Sequence, residues 1–146
     1  MYKRQQTVRD VRKQSPGTTM ETLIPDFAGK WDNLQIVMEE APEIISHNLE
    51  TVRRLTKEVR IQAKYDRSLE VLLRLKKGGM RTKSGVMLGL GETHEEVIET
   101  MEDLRSVDVD ILTLGQYLQP SPKHLPVVDF VTPERFAEYK ELGLKM

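Results

Sequence analysis

Asn48 and Glu50 stand two residues apart in the run His47-Asn48-Leu49-Glu50, directly after the strand-like stretch Glu43 to Ser46. On an extended chain, residues at i and i+2 share a face, so both side chains can offer oxygen to one ligand. Two acceptors at that spacing suit a vicinal diol such as ribose. The pair also reads as a helix cap followed by a first-turn acid. A second constellation is Gly89-Leu90-Gly91-Glu92, which fails the G-x-G-x-x-G phosphate pattern because His94 stands where the third glycine belongs. Glycines beside a strand instead let a flat ligand approach main-chain N–H and C=O groups. Gln116 and Tyr117 follow another apolar run, as cavity residues or simply as polar residues closing a strand, and Asp26 after Pro25 is either a turn former or a site carboxylate. The histidines are His47, His94 and His124, and no two share one element at metal-ligand spacing, so a histidine metal site is not expected. Arg53, Arg54 and Lys57, interleaved with Glu50 and Glu58, read as a solvated helix face.

Composition narrows the chemistry. The chain has no cysteine, which excludes disulfides, thiol catalysis and any thiolate-held zinc or iron–sulfur cluster supplied by these residues. Lys plus Arg number 22 against 23 Asp plus Glu, for a net charge of −1, so the basic footprint of a nucleic-acid binder is missing. No run of about 18 apolar residues exists to span a membrane. Met1 to Gln6 has charge but no apolar stretch behind it, unlike a secretory signal. A length of 146 residues fits one domain.

Periodicity supplies the elements that must position these residues. Thr18 to Ile24 reads as a strand closed by Pro25-Asp26, and Lys30 to Glu40 as a helix. Glu43 to Ser46 is a second strand; Leu49, Val52, Leu55 and Val59 recur at helical spacing; Ser68 to Lys77 is a helix stopped by Gly78-Gly79. Lys83 to Leu90 is a third strand, followed by Thr93 and Glu96 as a capping box and a helix carrying Val97, Met101 and Leu104. Val109 to Leu114 is a fourth strand, Gln119 to Val127 a proline-rich loop, and Thr132-Pro133-Glu134 opens a last helix. Alternating strand and helix predict parallel βα units, in a doubly wound sheet or part of a (β/α)₈ barrel. A full barrel needs about 250 residues, so four units supply half of one. In that half-barrel, Leu88 and Leu112 are expected to face the interior. Val8 to Lys13 reads as the end of a helix lacking its preceding strand, and the chain stops just after a helix. The chain is therefore expected to begin and end inside a larger domain. In parallel α/β folds ligands gather at the carboxyl ends of strands, and Asp26, Asn48, Glu50, Gly91, Glu92, Gln116 and Tyr117 all fall there.

The motifs carry a family resemblance. Pro16-Gly17-Thr18-Thr19, Leu23-Ile24-Pro25-Asp26-Phe27, His47-Asn48-Leu49-Glu50-Thr51-Val52, Tyr65-Asp66-Arg67-Ser68-Leu69, Thr82 to Thr93 (TKSGVMLGLGET) and Leu112 to Ser121 (LTLGQYLQPS) resemble, in order, those of lipoyl synthases. The likeness runs from about Val8 to the C-terminus; His-Asn-Leu-acid and Gly-Leu-Gly-Glu-Thr are shared more loosely with biotin synthase. The resemblance implies α/β architecture: parallel βα units forming part of a radical S-adenosylmethionine TIM-type barrel, here about strands three to six. It implies an enzyme, a sulfurtransferase of lipoate biosynthesis and protein lipoylation. In that family one [4Fe-4S] cluster cleaves S-adenosyl-L-methionine to methionine and a 5′-deoxyadenosyl radical. The radical removes hydrogens from C6 and C8 of a protein-bound octanoyl chain, and an auxiliary [4Fe-4S] cluster gives up the sulfur. Implied partners are an octanoylated lipoyl carrier domain or glycine-cleavage H protein, and an electron donor such as ferredoxin or flavodoxin, with neither nucleic acid nor membrane involved. Implied locations are the cytoplasm in bacteria and the mitochondrion or plastid in eukaryotes. By position, Asn48 and Glu50 resemble residues near the ribose of S-adenosyl-L-methionine. Arg67 and Ser84 resemble residues placed for its methionine carboxylate, Val86, Met87 and Leu88 would offer backbone to adenine, and Gln116 and Tyr117 would border the substrate end of the cavity.

The departures are equally specific. The family's C-x-x-x-C-x-x-C loop, its N-terminal cysteine trio and its C-terminal Arg-Ser-Ser-Tyr motif do not occur in this chain. Ser121 lies in a different motif and is not assigned as a cluster ligand, and Met1 to Gln6 fits the family poorly. Residues 1–146 are thus expected to form a partial barrel domain without the cluster-binding N-terminal region and C-terminal tail, inactive by itself. The alternatives are a self-contained nucleotide-binding α/β protein and a non-enzymatic binding module that keeps affinity for adenosine or a carrier domain.

Overall fold

The computed structural model describes residues 2–146. Helix α1 (Tyr2–Gln14) precedes four units: β1 (Glu21–Leu23) with α2 (Trp31–Glu39), β2 (Ile44–Ser46) with α3 (Thr56–Val59) and α4 (Tyr65–Lys77), β3 (Thr82–Leu88) with α5 (His94–Ser106), and β4 (Ile111–Gln116) with α6 (Pro133–Lys145). The strands lie in the order β1-β2-β3-β4, every pair parallel. Because the order never reverses, the sheet is singly wound, as in a barrel, and not doubly wound. Among the described residues it is open: β1 and β4 each have one neighbour.

Local chemistry explains the helices. Helix α5 has the expected capping box, with Thr93 Oγ1 accepting from the Glu96 amide and the Glu96 carboxylate accepting from the Thr93 amide. Helix α6 starts at Pro133 behind Thr132, whose hydroxyl accepts from the Arg135 amide. Helix α4 buries Ser68, Val71, Leu72 and Leu75 on one face, and each fully buried Leu contributes about 1.5–3 kcal/mol. Val71 and Leu75 join Ile24, Leu34, Val37 and Ile45 in one apolar cluster; Leu72 joins Val86, Leu88, Val97, Met101 and Leu104 in another.

Register divides the sheet into two faces. Thr22, Ile45 and Thr82 are aligned, as are Ser84 with Leu112 and Val86 with Leu114, and this face packs under the helices. Leu23, Ser46, Lys83 and Ile111 are aligned on the other face, with Gly85 beside Thr113 and Met87 beside Gly115. The expectation for Leu88 and Leu112 is therefore corrected. Both belong to the helix-facing row, and Leu88 is fully buried there.

The run from Leu49 to Val59 also differs from its helical reading. Glu50 rejoins β3 in an isolated parallel bridge with Val86, a 3₁₀ turn spans Arg53–Leu55, and α3 makes a single turn. Leu49, Val52 and Leu55 are buried all the same, so apolar spacing here reports burial and not helix.

Two unpaired parallel edges invite pairing with further chain. Sedimentation at micromolar concentration is expected to show self-association of the isolated chain. A monomer with a sharp cooperative thermal transition would show instead that four strands suffice.

Candidate functional site

On the face away from the helices, a groove of about 280 Å³ runs between Asn48 and Glu50 at one end and the Lys83–Glu21 pair at the other. Its floor is lined by Gly85, Thr113 and Gly115, with Leu23 and Met87 as apolar walls. Closed parallel barrels normally fill their interior with bulky branched side chains. Here small residues keep it empty: a Cβ on Gly115 would meet nothing within 4 Å, while one on Gly85 would come within 3.0 Å of Asn48 Oδ1.

The Asn48–Glu50 arm owes its shape to a break in the ladder. The His47 amide still donates to Lys83 O; the Leu49 amide turns instead to Ser84 Oγ at 3.2 Å. The chain returns when the Glu50 amide donates to Gly85 O and the Met87 amide to Glu50 O, with Glu50 at φ +68°. A non-glycine residue there is costly and held only by its surroundings. The outcome is that Asn48 Nδ2 lies 3.3 Å from Glu50 Oε1, both side chains lining the groove.

The other sequence-derived positions separate. Met87 points into the groove, while the side chains of Val86 and Leu88 are buried under the helices. Ser84 faces the same way, fully buried and occupied by the Leu49 amide. Arg67 pairs with Asp26 at 2.6 Å and lines a different depression with Pro25, Ala28 and Arg60. Ser84 and Arg67 thus do not converge on one carboxylate-sized space, because strand parity turns Ser84 to the helix layer. Gln116 bonds the loop that follows, donating from Nε2 to Asp129 O and accepting from the Val131 amide. Tyr117 is buried, its hydroxyl donating to Leu125 O. Both side chains therefore secure the loop after β4, and neither lines the groove.

Glu21, Lys83 and Arg60 had no reading in the sequence. The carboxylate of Glu21 accepts from Ser46 Oγ at 2.5 Å and from Lys83 Nζ at 2.9 Å, which holds its pKa below the usual range. Arg60 braces the arm from behind, donating to Asn48 O and Leu49 O. Alternation along β3 could have marked Lys83, since it shares parity with Gly85 and Met87. Among the described residues, no group of three or more His, Asp or Glu is arranged to hold a metal ion, and no helix is long and apolar enough to cross a membrane.

Comparison with known proteins places this geometry. The chain is 65% identical over 142 residues to a lipoyl synthase of Flavobacterium psychrophilum, 59% over 142 to the mitochondrial lipoyl synthase of Nematostella vectensis, and 56% over 141 to that of Bacillus cytotoxicus. These alignments cover 95–97% of this chain and 47–49% of each relative. The chain spans about half the length of the curated relatives it matches. The fold matches the crystal structure of methylornithine synthase with a TM-score of 0.72 at 17% identity, over 99% of this chain and 42% of that one. The radical SAM superfamily matches residues 2–104, a stretch that holds three of the four strands and the whole Asn48–Glu50 arm. The chain belongs to the radical SAM superfamily.

Proposed function

We propose that this chain is the central part of a lipoyl synthase, residues 1–146 forming a partial barrel whose groove receives the adenosyl portion of S-adenosyl-L-methionine. The observation that carries the reading is the open interior face: Asn48 and Glu50 sit side by side over floor positions that have no side chain to fill the space. Two adjacent carbonyl-type oxygens match the two hydroxyls of a ribose, and the flat surface at Gly85 and Gly115 accepts a planar base, with the Met87 side chain against it. Bound there, S-adenosyl-L-methionine would supply the adenosyl group that its superfamily uses for hydrogen abstraction.

The residues present do not fit an iron–sulfur cluster. Such clusters are held by thiolates, and this chain has no cysteine. Cluster ligands would have to come from chain beyond these residues. By the same reading the whole enzyme inserts sulfur at C6 and C8 of an octanoyl group on a carrier protein, supplied with electrons by a ferredoxin- or flavodoxin-type donor. A bacterial form would work in the cytoplasm and a eukaryotic one in the mitochondrion or plastid.

Calorimetry of this chain with S-adenosyl-L-homocysteine tests the site. Asn48→Ala and Glu50→Ala are each expected to weaken binding by about 1–3 kcal/mol, the scale of a lost buried polar partner. Unchanged affinity in both variants would return the pair to a purely local role in shaping the chain.

A further inference from the structure

Behind the groove, the end of β1 and the first turn of α4 meet at one buried side chain. His47 is only 1% exposed. Its Nδ1 lies 2.9 Å from Ile24 O, the last carbonyl before Pro25, and its Nε2 lies 2.9 Å from Ser68 Oγ in the first turn of α4. A carbonyl can only accept, so Nδ1 carries the proton and Nε2 is left to accept from the Ser68 hydroxyl. With its proton committed to His47, Ser68 Oγ turns a lone pair to Arg60 Nη1 at 3.4 Å. Arg60 Nη1 in turn donates to Asn48 O at 2.8 Å and to Leu49 O at 3.5 Å. Those are the two carbonyls of the arm that the break in the ladder leaves without a strand partner, and a buried carbonyl needs one. The relay therefore begins at the end of β1, passes through α4 and ends on the peptide bonds that aim Asn48 and Glu50 at the groove.

We propose that His47 is a positioning residue, which acts through Ser68 and Arg60 to hold the Asn48–Glu50 arm in its ligand-facing conformation. This rests on the groove being an adenosyl-ligand site. The tautomer is the working part: as an Nε2–H imidazole, His47 would meet the Ile24 carbonyl with a bare lone pair. It would also compel Ser68 to accept from it, and so change how the hydroxyl faces Arg60.

The test uses amide hydrogen exchange and calorimetry on the whole chain. Ser68→Ala removes the middle of the relay and leaves His47 in place. His47→Asn keeps a donor for Ile24 O and loses the acceptor for Ser68, whereas His47→Gln restores an acceptor at the Nε2 position. Ser68→Ala and His47→Asn are expected to speed exchange at the Leu49 and Glu50 amides, and to weaken S-adenosyl-L-homocysteine, each by roughly tenfold, or about 1.4 kcal/mol. The β3–β4 amides should be unaffected, and His47→Gln should recover part of both losses. Nitrogen-15 shifts of the imidazole should show protonated Nδ1 and bare Nε2. Should His47→Asn fail to fold, Ser68→Ala decides alone. Native exchange at Leu49 and Glu50 in Ser68→Ala, or an Nε2–H tautomer, overturns the proposal. Faster arm exchange in a chain whose native form does not bind S-adenosyl-L-homocysteine would uphold the relay and remove the ligand reading instead.

Discussion

Gly89→Val is expected to destabilise the chain by roughly 3 kcal/mol or more, the range of substitutions that combine backbone strain with steric overlap. Gly89 ends the β3 run at φ +100°, a conformation that side chains rarely adopt. A Cβ there would press into Asp129 O and Gln116 Nε2, well inside van der Waals contact. Neither neighbour can yield cheaply. Gln116 is fixed by bonds to Asp129 O and the Val131 amide, and the Gly89 carbonyl accepts from the Val128 amide at 2.8 Å. On its other side, the Gly89 and Leu90 amides both donate to the Glu92 carboxylate. Gly91→Val is the control: it shares φ +100°, but its Cβ would only touch Val128 at 3.6 Å. Strain alone should cost it about 1–2 kcal/mol. Urea unfolding of both variants measures the difference, and equal losses would show that the loop at Gly89 yields freely.

Acidification should unfold the chain in two stages. The first stage belongs to His47, whose pKa is pushed below its usual 6.5 mainly by burial and further by Arg60 and Arg67, against the pull of the Ile24 carbonyl and Asp26. A group with a lowered folded pKa stabilises the fold above its unfolded pKa and loses that contribution as the pH falls. Stability should therefore start to decline as the pH drops below about 6.5, by at most about 1.4 kcal/mol per unit for the one proton. The second stage belongs to carboxylates held below their usual range. Burial opposes the charge of Asp26, yet the Ala28 amide and Arg67 keep it low; burial likewise opposes Asp110, which Lys76 and Thr82 hold down. Glu21 is lowered by Ser46 and then Lys83. These contributions are present above about pH 4 and vanish below it. His47→Gln should flatten the first stage and spare the second. Stability that stays constant from pH 7 to about 5 in the native chain would show that His47 remains as protonatable as in the unfolded state.

How far the sequence reaches depends on which neighbours a feature needs. The capping box at Thr93 and Glu96, the start of α6 at Pro133, and the buried stripe on α4 are settled within a few residues of chain, so pattern alone is sufficient for them. Alternating strands and helices likewise fixed four parallel βα units, and the His47-Asn48-Leu49-Glu50 spacing picked out the pair that lines the groove. Which face each strand residue takes was decided elsewhere. Parity relates Ser84, Val86 and Leu88 to one another, but only helix packing says that this row is covered and that Lys83, Gly85 and Met87 are open. The expectation that Leu88 and Leu112 face the interior fails for that reason. Gln116 found its partners 13 and 15 residues away, and Glu21 found Lys83 across 62. The bend at Glu50 has the same origin: nothing local favours φ +68° in a glutamate, and it persists because β3 bonds it on both sides while Arg60 holds the carbonyls before it. Sequence by itself determined the elements and the residue types at their ends, since these depend on nearest neighbours. The empty interior, the arm's aim and the relay behind it were decided by tertiary structure, because each needs hydrogen bonds and packing between segments that only the assembled sheet brings together.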